Sequence, residues 1–172
     1  MTLTIQQLEA GLDRILQSPK DAGTLELIVR RPAVGEREVL DGAEVTAGGG
    51  LVGDRWSARR GGNPDCQINV MNARVVALVA GEKDRWSLAG DQLFVDFDLS
   101  EANLPVGARV AIGTAVLEVT APPHTGCSKF AARFGTDARD FVNARKNLRL
   151  RGLNARVVQG GTLTVGDSVR KL

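Results

Sequence analysis

From Thr24 the chain takes on a period of two. Leu25, Leu27 and Val29 alternate with Glu26, Ile28 and Arg30, the spacing that separates the two faces of a β-strand. The same beat returns at Leu93, Val95 and Phe97 against Phe94, Asp96 and Asp98, then at Ala115, Leu117 and Val119, and at Leu153, Ala155 and Val157. Turn residues punctuate these runs. Asp41-Gly42 predicts a hairpin joining residues 38–40 to 43–46, and Gly113 predicts another joining 106–112 to the run ending at Thr120. Gly160-Gly161 and Gly166-Asp167 lead into further strands at 162–165 and 168–170, and a short strand is expected around 67–70.

Helical periodicity is rarer. Residues 5–16 carry Ile5, Leu8, Leu12 and Ile15 on one stripe, Thr4 and Gln7 have capping-box spacing, and Ser18-Pro19-Lys20 ends the segment. Helices are also expected over 73–80 and over 137–145, the latter with Ala138, Phe141 and Val142 inward. Many short strands with few helices indicate a mainly β barrel or sandwich and argue against a doubly wound α/β sheet. Residues 1–21 read as a helical extension loosely attached to a main domain spanning 22–172.

Composition narrows the partners. The 172 residues suit one domain, and 43% hydrophobic with 24% charged residues is a globular balance, not a disordered one. A net charge of +2, from 22 basic and 20 acidic residues, excludes a binder that works by neutralising nucleic-acid phosphates, and aromatic residues at 4% offer few platforms for bases. No apolar run approaches the roughly 20 residues that span a bilayer. The start, with Glu9 and Asp13, has no export pattern, and Cys66 and Cys127 are simplest as free thiols, so a soluble cytoplasmic protein is expected. Cys66 is expected to be buried and inert.

The chemistry concentrates in residues 122–135. Two prolines stop the strand before it, Gly126 permits a sharp turn, Ser128 is the expected N-cap, Phe130 and Phe134 share a helical face, and Gly135 is the expected stop. Cys127 then lies at the mouth of a short helix, beside Lys129 and near His124, the single histidine. Backbone N–H groups and cations favour a thiolate, which attacks electrophiles or binds a soft metal. A small apolar residue tucked into a turn is the competing account. Two basic groups, Arg55 with Arg59 and Arg60, and Arg145 with Lys146, Arg149 and Arg151, are either solvated surface or contacts for a small phosphate-bearing ligand.

Other motifs fail on context. Gly48-Gly49-Gly50-Leu51-Val52-Gly53 matches the dinucleotide fingerprint in letters, but residues 54–66 contain no helical stripe to receive a pyrophosphate. It also lacks the Lys-Ser or Lys-Thr of a P-loop. One histidine and two cysteines give no closely spaced zinc ligands, and a cysteine–histidine pair three residues apart does not suit a protease.

Taken in order, several segments resemble the MOSC domain, which is found at the C-terminus of molybdenum cofactor sulfurases. Gly53-Asp54-Arg55 is similar to its Gly-Asp-Arg-His, Gln67-Ile68-Asn69-Val70-Met71 to its Arg-Gln-Val-Thr-Leu, and Gly90-Asp91-Gln92-Leu93 to its Gly-Glu-Asn-Leu. Leu104-Pro105-Val106-Gly107, the cysteine turn, residues 151–157 and Gly166-Asp167-Ser168-Val169 follow in the family's order, over roughly residues 22–170. Trp56 stands where the family has histidine, Gln92 where asparagine is frequent, and Gly126 where proline usually precedes the cysteine.

The resemblance implies a mainly β, MOSC-type barrel-like domain with a few short helices. It implies that Cys127 binds the molybdenum of a molybdenum–pterin cofactor, with Gly53, Asp54, Arg55, Lys129 and Arg151 as cofactor-binding candidates. The implied activity is reduction of small N-hydroxylated compounds, with electrons from a separate flavin or iron–sulfur protein. The alternative it implies is a non-redox sulfur-carrier or cofactor-binding module, with a persulfide on Cys127 supplied by a sulfur-donor protein. A relic that keeps the barrel without the cofactor is a third.

Overall fold

The structure is a computed structural model that describes residues 2–58 and 62–172. Its frame is a barrel. Around it run β1 (Ala22–Arg30), β11 (Ser168–Lys171), β7 (Arg109–Ile112), β8 (Ala115–Val119), β9 (Leu153–Gln159), β5 (Ile68–Asn72) and β6 (Leu93–Asp96), which pairs back onto β1. All neighbours are antiparallel except β5 and β6, whose parallel pairing follows from the intervening helix α3 (Ala73–Ala80). The remaining strands are β2 (Glu38–Leu40), β3 (Gly42–Thr46), β4 (Gly50–Leu51) and β10 (Gly161–Thr164).

Two cores share the strands. Leu25, Ile28, Leu93, Val95, Leu117 and Ala155 point into the barrel, while Leu27, Val29, Met71 and Phe94 point outward beneath the helices. Strict alternation predicts Leu25, Leu27 and Val29 on one face. A bulge between Leu25 and Leu27 inserts Glu26 and exchanges the faces, so Leu27 and Val29 join the outer core and Ile28 the inner one. This makes β1 apolar on both sides.

The outer core is roofed by α1 (Ile5–Ala10), α2 (Leu12–Leu16), α3, α4 (Ser128–Phe134) and α5 (Thr136–Ala144). The expected N-terminal helix is two, broken at Gly11, and Thr4 with Gln7 forms the anticipated capping box. The extension is not loosely attached. Leu8 is fully buried and Ile15 nearly so, and Arg145 holds Glu9 through two contacts at 2.7 and 2.9 Å.

The hairpin expected at Asp41-Gly42 does not form. β2 pairs with β1, whereas β3 pairs with β10 and β4, so the turn passes the chain from one sheet to another. The Gly48–Gly53 segment is likewise a tight β3–β4 turn, with Thr46 at its base accepting from the Gly49 N–H. Hairpin β7–β8 forms as expected. Among the described residues, no helix is long and apolar enough to cross a membrane.

Candidate functional site

The chain leaves β8 at Val119 and crosses to α4 through the two prolines. The Asn154 amide on β9 donates to the Pro122 carbonyl at 3.0 Å, fixing the start of this crossing. Its end is clamped by α5. Asn143 accepts from the Gly126 N–H at 2.8 Å and donates to the Gly126 carbonyl at 3.0 Å. A Cβ at Gly126 would lie 3.2–3.4 Å from side-chain atoms of Val142, Arg139 and Asn143, so a larger residue there must displace them slightly; the Gly126 backbone itself has no left-handed twist. Proline, lacking the N–H, cannot make the Asn143 contact. The departure from the family pattern at this position therefore carries its own replacement bracing.

The helix opens one residue earlier than expected, with Cys127 as N-cap in place of Ser128. Its side chain is exposed. The backbone N–H of Phe130, with that of Lys129, stabilises the thiolate and lowers the Cys127 pKa against the opposing effect of partial burial; the Arg151 charge adds to the lowering. Cys66 behaves oppositely. Cys66 is half-buried rather than buried as expected; that partial burial, with Asp65 adding to it, raises its thiol, so the two cysteines are shifted in opposite directions.

Beneath Cys127 lies a buried carboxylate. Asp91 is wholly inaccessible; its Oδ2 takes the Arg151 guanidinium at 2.6 Å and its Oδ1 meets His124 Nε2 at 2.8 Å. Burial alone raises this carboxyl, but Arg151 and His124 outweigh it and hold Asp91 below the usual carboxylate range. An ionised carboxylate only accepts, so Nε2 carries the hydrogen and Nδ1 is the imidazole's remaining site for a proton. Arg151 also donates to the Ala89 carbonyl and stacks 4.9 Å above the Phe130 ring, and its buried Nε has no partner among the described residues.

A second group of arginines gathers at the C-terminal end of the 3-10 helix Lys83–Ala89. Arg133 donates to the Leu88 carbonyl and Arg31 to that of Gly90, the partial negative charge of the helix end drawing guanidinium groups together. Arg31 is locked by a bidentate pair with Asp54, which is also held by the Trp56 N–H and the Gln92 amide. Gly90, at φ +90°, forms a floor over which Arg37 and Arg133 lie 3.7 and 3.8 Å from where a Cβ would be. Burial lowers the Arg37 pKa, and Arg133, Arg31 and Arg55 add repulsion, yet a guanidinium keeps its charge at neutral pH. Arg37 Nε and Trp56 Nε1 are buried without partners among the described residues. Clustered cations with spare buried donors fit an anionic group.

The residues singled out from sequence take distinct places. Cys127 and Arg151 come together, and Lys129 is exposed on α4 with its backbone N–H directed to the thiol. Asp54 turns inward to organise Arg31, Arg55 is half-buried with its N–H on the Arg31 carbonyl, and Gly53 is an exposed turn residue packed on Arg30. Arg59 and Arg60 lie outside the described residues. Sequence reasoning missed Arg31, Arg37, Asp91, Arg133 and Asn143, although Asp91 sat in Gly90-Asp91-Gln92-Leu93 and Arg133 in the 122–135 segment.

Comparison with known proteins bears on the family and the fold. The family model described as MOSC domain matches residues 57–170. No curated protein matches. Among solved structures, the YuaD protein of Bacillus subtilis superposes with a TM-score of 0.63 at 19% identity, covering 86% of this chain and 94% of that one. YiiM from Escherichia coli gives 0.57 at 20% identity, covering 87% and 69% of the two chains. YiiM from Geobacillus stearothermophilus gives 0.55 at 16%, covering 87% and 73%. At these identities the solved structures speak for the fold, the sequence match carries the family, and the chain belongs to the MOSC domain family.

Proposed function

We propose that this protein holds a molybdenum–pterin cofactor through the Cys127 thiolate and reduces small N-hydroxylated compounds with electrons from a separate donor protein. The observation that carries the reading is an exposed cysteine on a braced turn, its pKa lowered by the Phe130 and Lys129 N–H groups, with Arg37 and Arg151 holding buried donors that lack partners among the described residues. Among the described residues no group of three or more His, Cys, Asp or Glu could hold a metal, and in this reading the protein would contribute the Cys127 thiolate alone. That suits a metal whose other donors come from an organic cofactor, and in this respect the residues fit. When bound, the cofactor would supply the two-electron redox chemistry.

The protein's own residues would do the rest. Cys127 anchors the soft metal, and Asn143 keeps the turn from shifting. Arg37 and Arg133 offer donors to the cofactor's anionic end. His124, held through Nε2 by Asp91, keeps Nδ1 for proton movement during a reaction in which the N–O bond breaks, two electrons and two protons enter, and water leaves.

Purification from cells that make the cofactor, followed by metal analysis, tests this. The expected result is about one molybdenum atom per chain, lost in Cys127→Ala. Metal-free wild-type protein bearing one extra sulfur atom on Cys127 would replace the reading with sulfur carriage.

A further inference from the structure

Behind the cysteine turn is a cavity of about 510 Å³ whose wall is the Pro122–Thr125 crossing itself. It is within the roughly 300–1,000 Å³ range of small-molecule sites. Its charge is positive on balance. Lys146, Arg149, Arg151, His124 and Glu101 line it; the buried Asp91 balances Arg151, so Lys146 and Arg149 set the sign of the cavity against Glu101. Arg149 uses one nitrogen on the Leu99 and Leu104 carbonyls, which fixes its guanidinium at the cavity wall, and burial costs that charge more than Glu101 restores. Arg151 is 7% exposed, and its Nε has no partner among the described residues. Val106, Pro122, Val142 and Leu153 give the cavity an apolar wall, beside the polar Thr120, Thr125 and Asn143.

We propose that this cavity binds a small organic anion, a phosphate or carboxylate on a flat apolar body, with the anion toward Lys146, Arg149 and Arg151 and the body against the apolar wall. Two features require both halves of that description. The fixed Arg149 guanidinium and the Lys146 ammonium attract an oxyanion, and the apolar side chains gain nothing from a bare ion. The ligand would lie against the turn that presents Cys127, which makes it the substrate under the function proposed above. Only the word substrate rests on that function; the binding does not.

Calorimetric titration of the full chain with phenyl phosphate, benzoate and benzyl alcohol tests it, with amide NMR shifts at Thr125, Gly126 and Gly152 locating the site. Phenyl phosphate or benzoate should bind at least about tenfold tighter than benzyl alcohol. Lys146→Glu, at an exposed position, should weaken the anion about tenfold without changing molybdenum content. Val106→Trp, at the rim, should weaken every probe. Equal binding of charged and neutral probes, or full affinity in Lys146→Glu, overturns the inference. Failure of the cofactor reading looks different: a metal-free chain that still takes phenyl phosphate at this cavity keeps the anion site.

Discussion

Asp91 and Arg151 face each other across 2.6 Å with the carboxylate fully removed from water and the guanidinium nearly so. The same carboxylate holds His124, so one buried group ties the β5–β6 side of the barrel to the turn that presents Cys127. Asp91→Asn keeps the shape but leaves a buried guanidinium uncompensated. The expected cost is about 3–5 kcal/mol in urea unfolding. An unchanged urea midpoint would show that the pair is not a structural keystone.

The two cysteines should separate in alkylation. The Cys127 thiol is lowered by the Phe130 and Lys129 N–H groups, and the Cys66 thiol is raised by burial. A lowered pKa means more thiolate at neutral pH. Iodoacetamide followed by mass spectrometry should therefore modify Cys127 first, with a rate-against-pH midpoint below the ordinary thiol value of about 8.5.

Loosening the clamp on Gly126 should act at a distance on the site. Asn143→Ala removes two hydrogen bonds, a loss of about 1–3 kcal/mol in denaturant unfolding. Gly126→Pro removes the donor and brings ring atoms against Val142 and Arg139, so it should be worse than Asn143→Ala. Both should slow Cys127 alkylation at neutral pH if the turn sets the thiolate; equal rates would mean that it does not.

Acid should weaken the fold through its buried carboxylates. Burial would raise Asp54, but Arg31 outweighs it and holds the group low; Asp91 is held low by Arg151 and His124. A depressed folded pKa stabilises above the unfolded value of about 3.9, and that stability is lost as pH falls through the folded values. Asp54→Asn removes one such titration. Its urea midpoint should drop less than wild type's between about pH 6 and pH 3.

Much of this was legible in the chain because strand alternation and helix stripes are local. The periods at Leu93, Ala115 and Leu153 mark barrel strands, and 73–80 is α3. Pairing was less legible. Asp41-Gly42 announces a turn but not what its flanks will meet, and β3 finds its partner in β10, far along the chain. At the site, Cys127 was visible from its turn and Arg151 from a basic cluster. Arg31, Arg37 and Arg133 were not, because they are scattered in sequence and converge only on the carbonyls and the side-chain-free floor at Gly90. Glu26 reads as one polar beat among others until the bulge gives it the role of a register shift.

The barrel shuts along β1 and β11 through only Ala22–Thr24 and Ser168–Arg170, and β11 follows every other strand. During synthesis the edges of β1 and β7 must wait, unpaired, until these residues leave the ribosome. Loss of β11 would thus open a ring and expose two sticky edges rather than trim a tail, turning the fold toward aggregation.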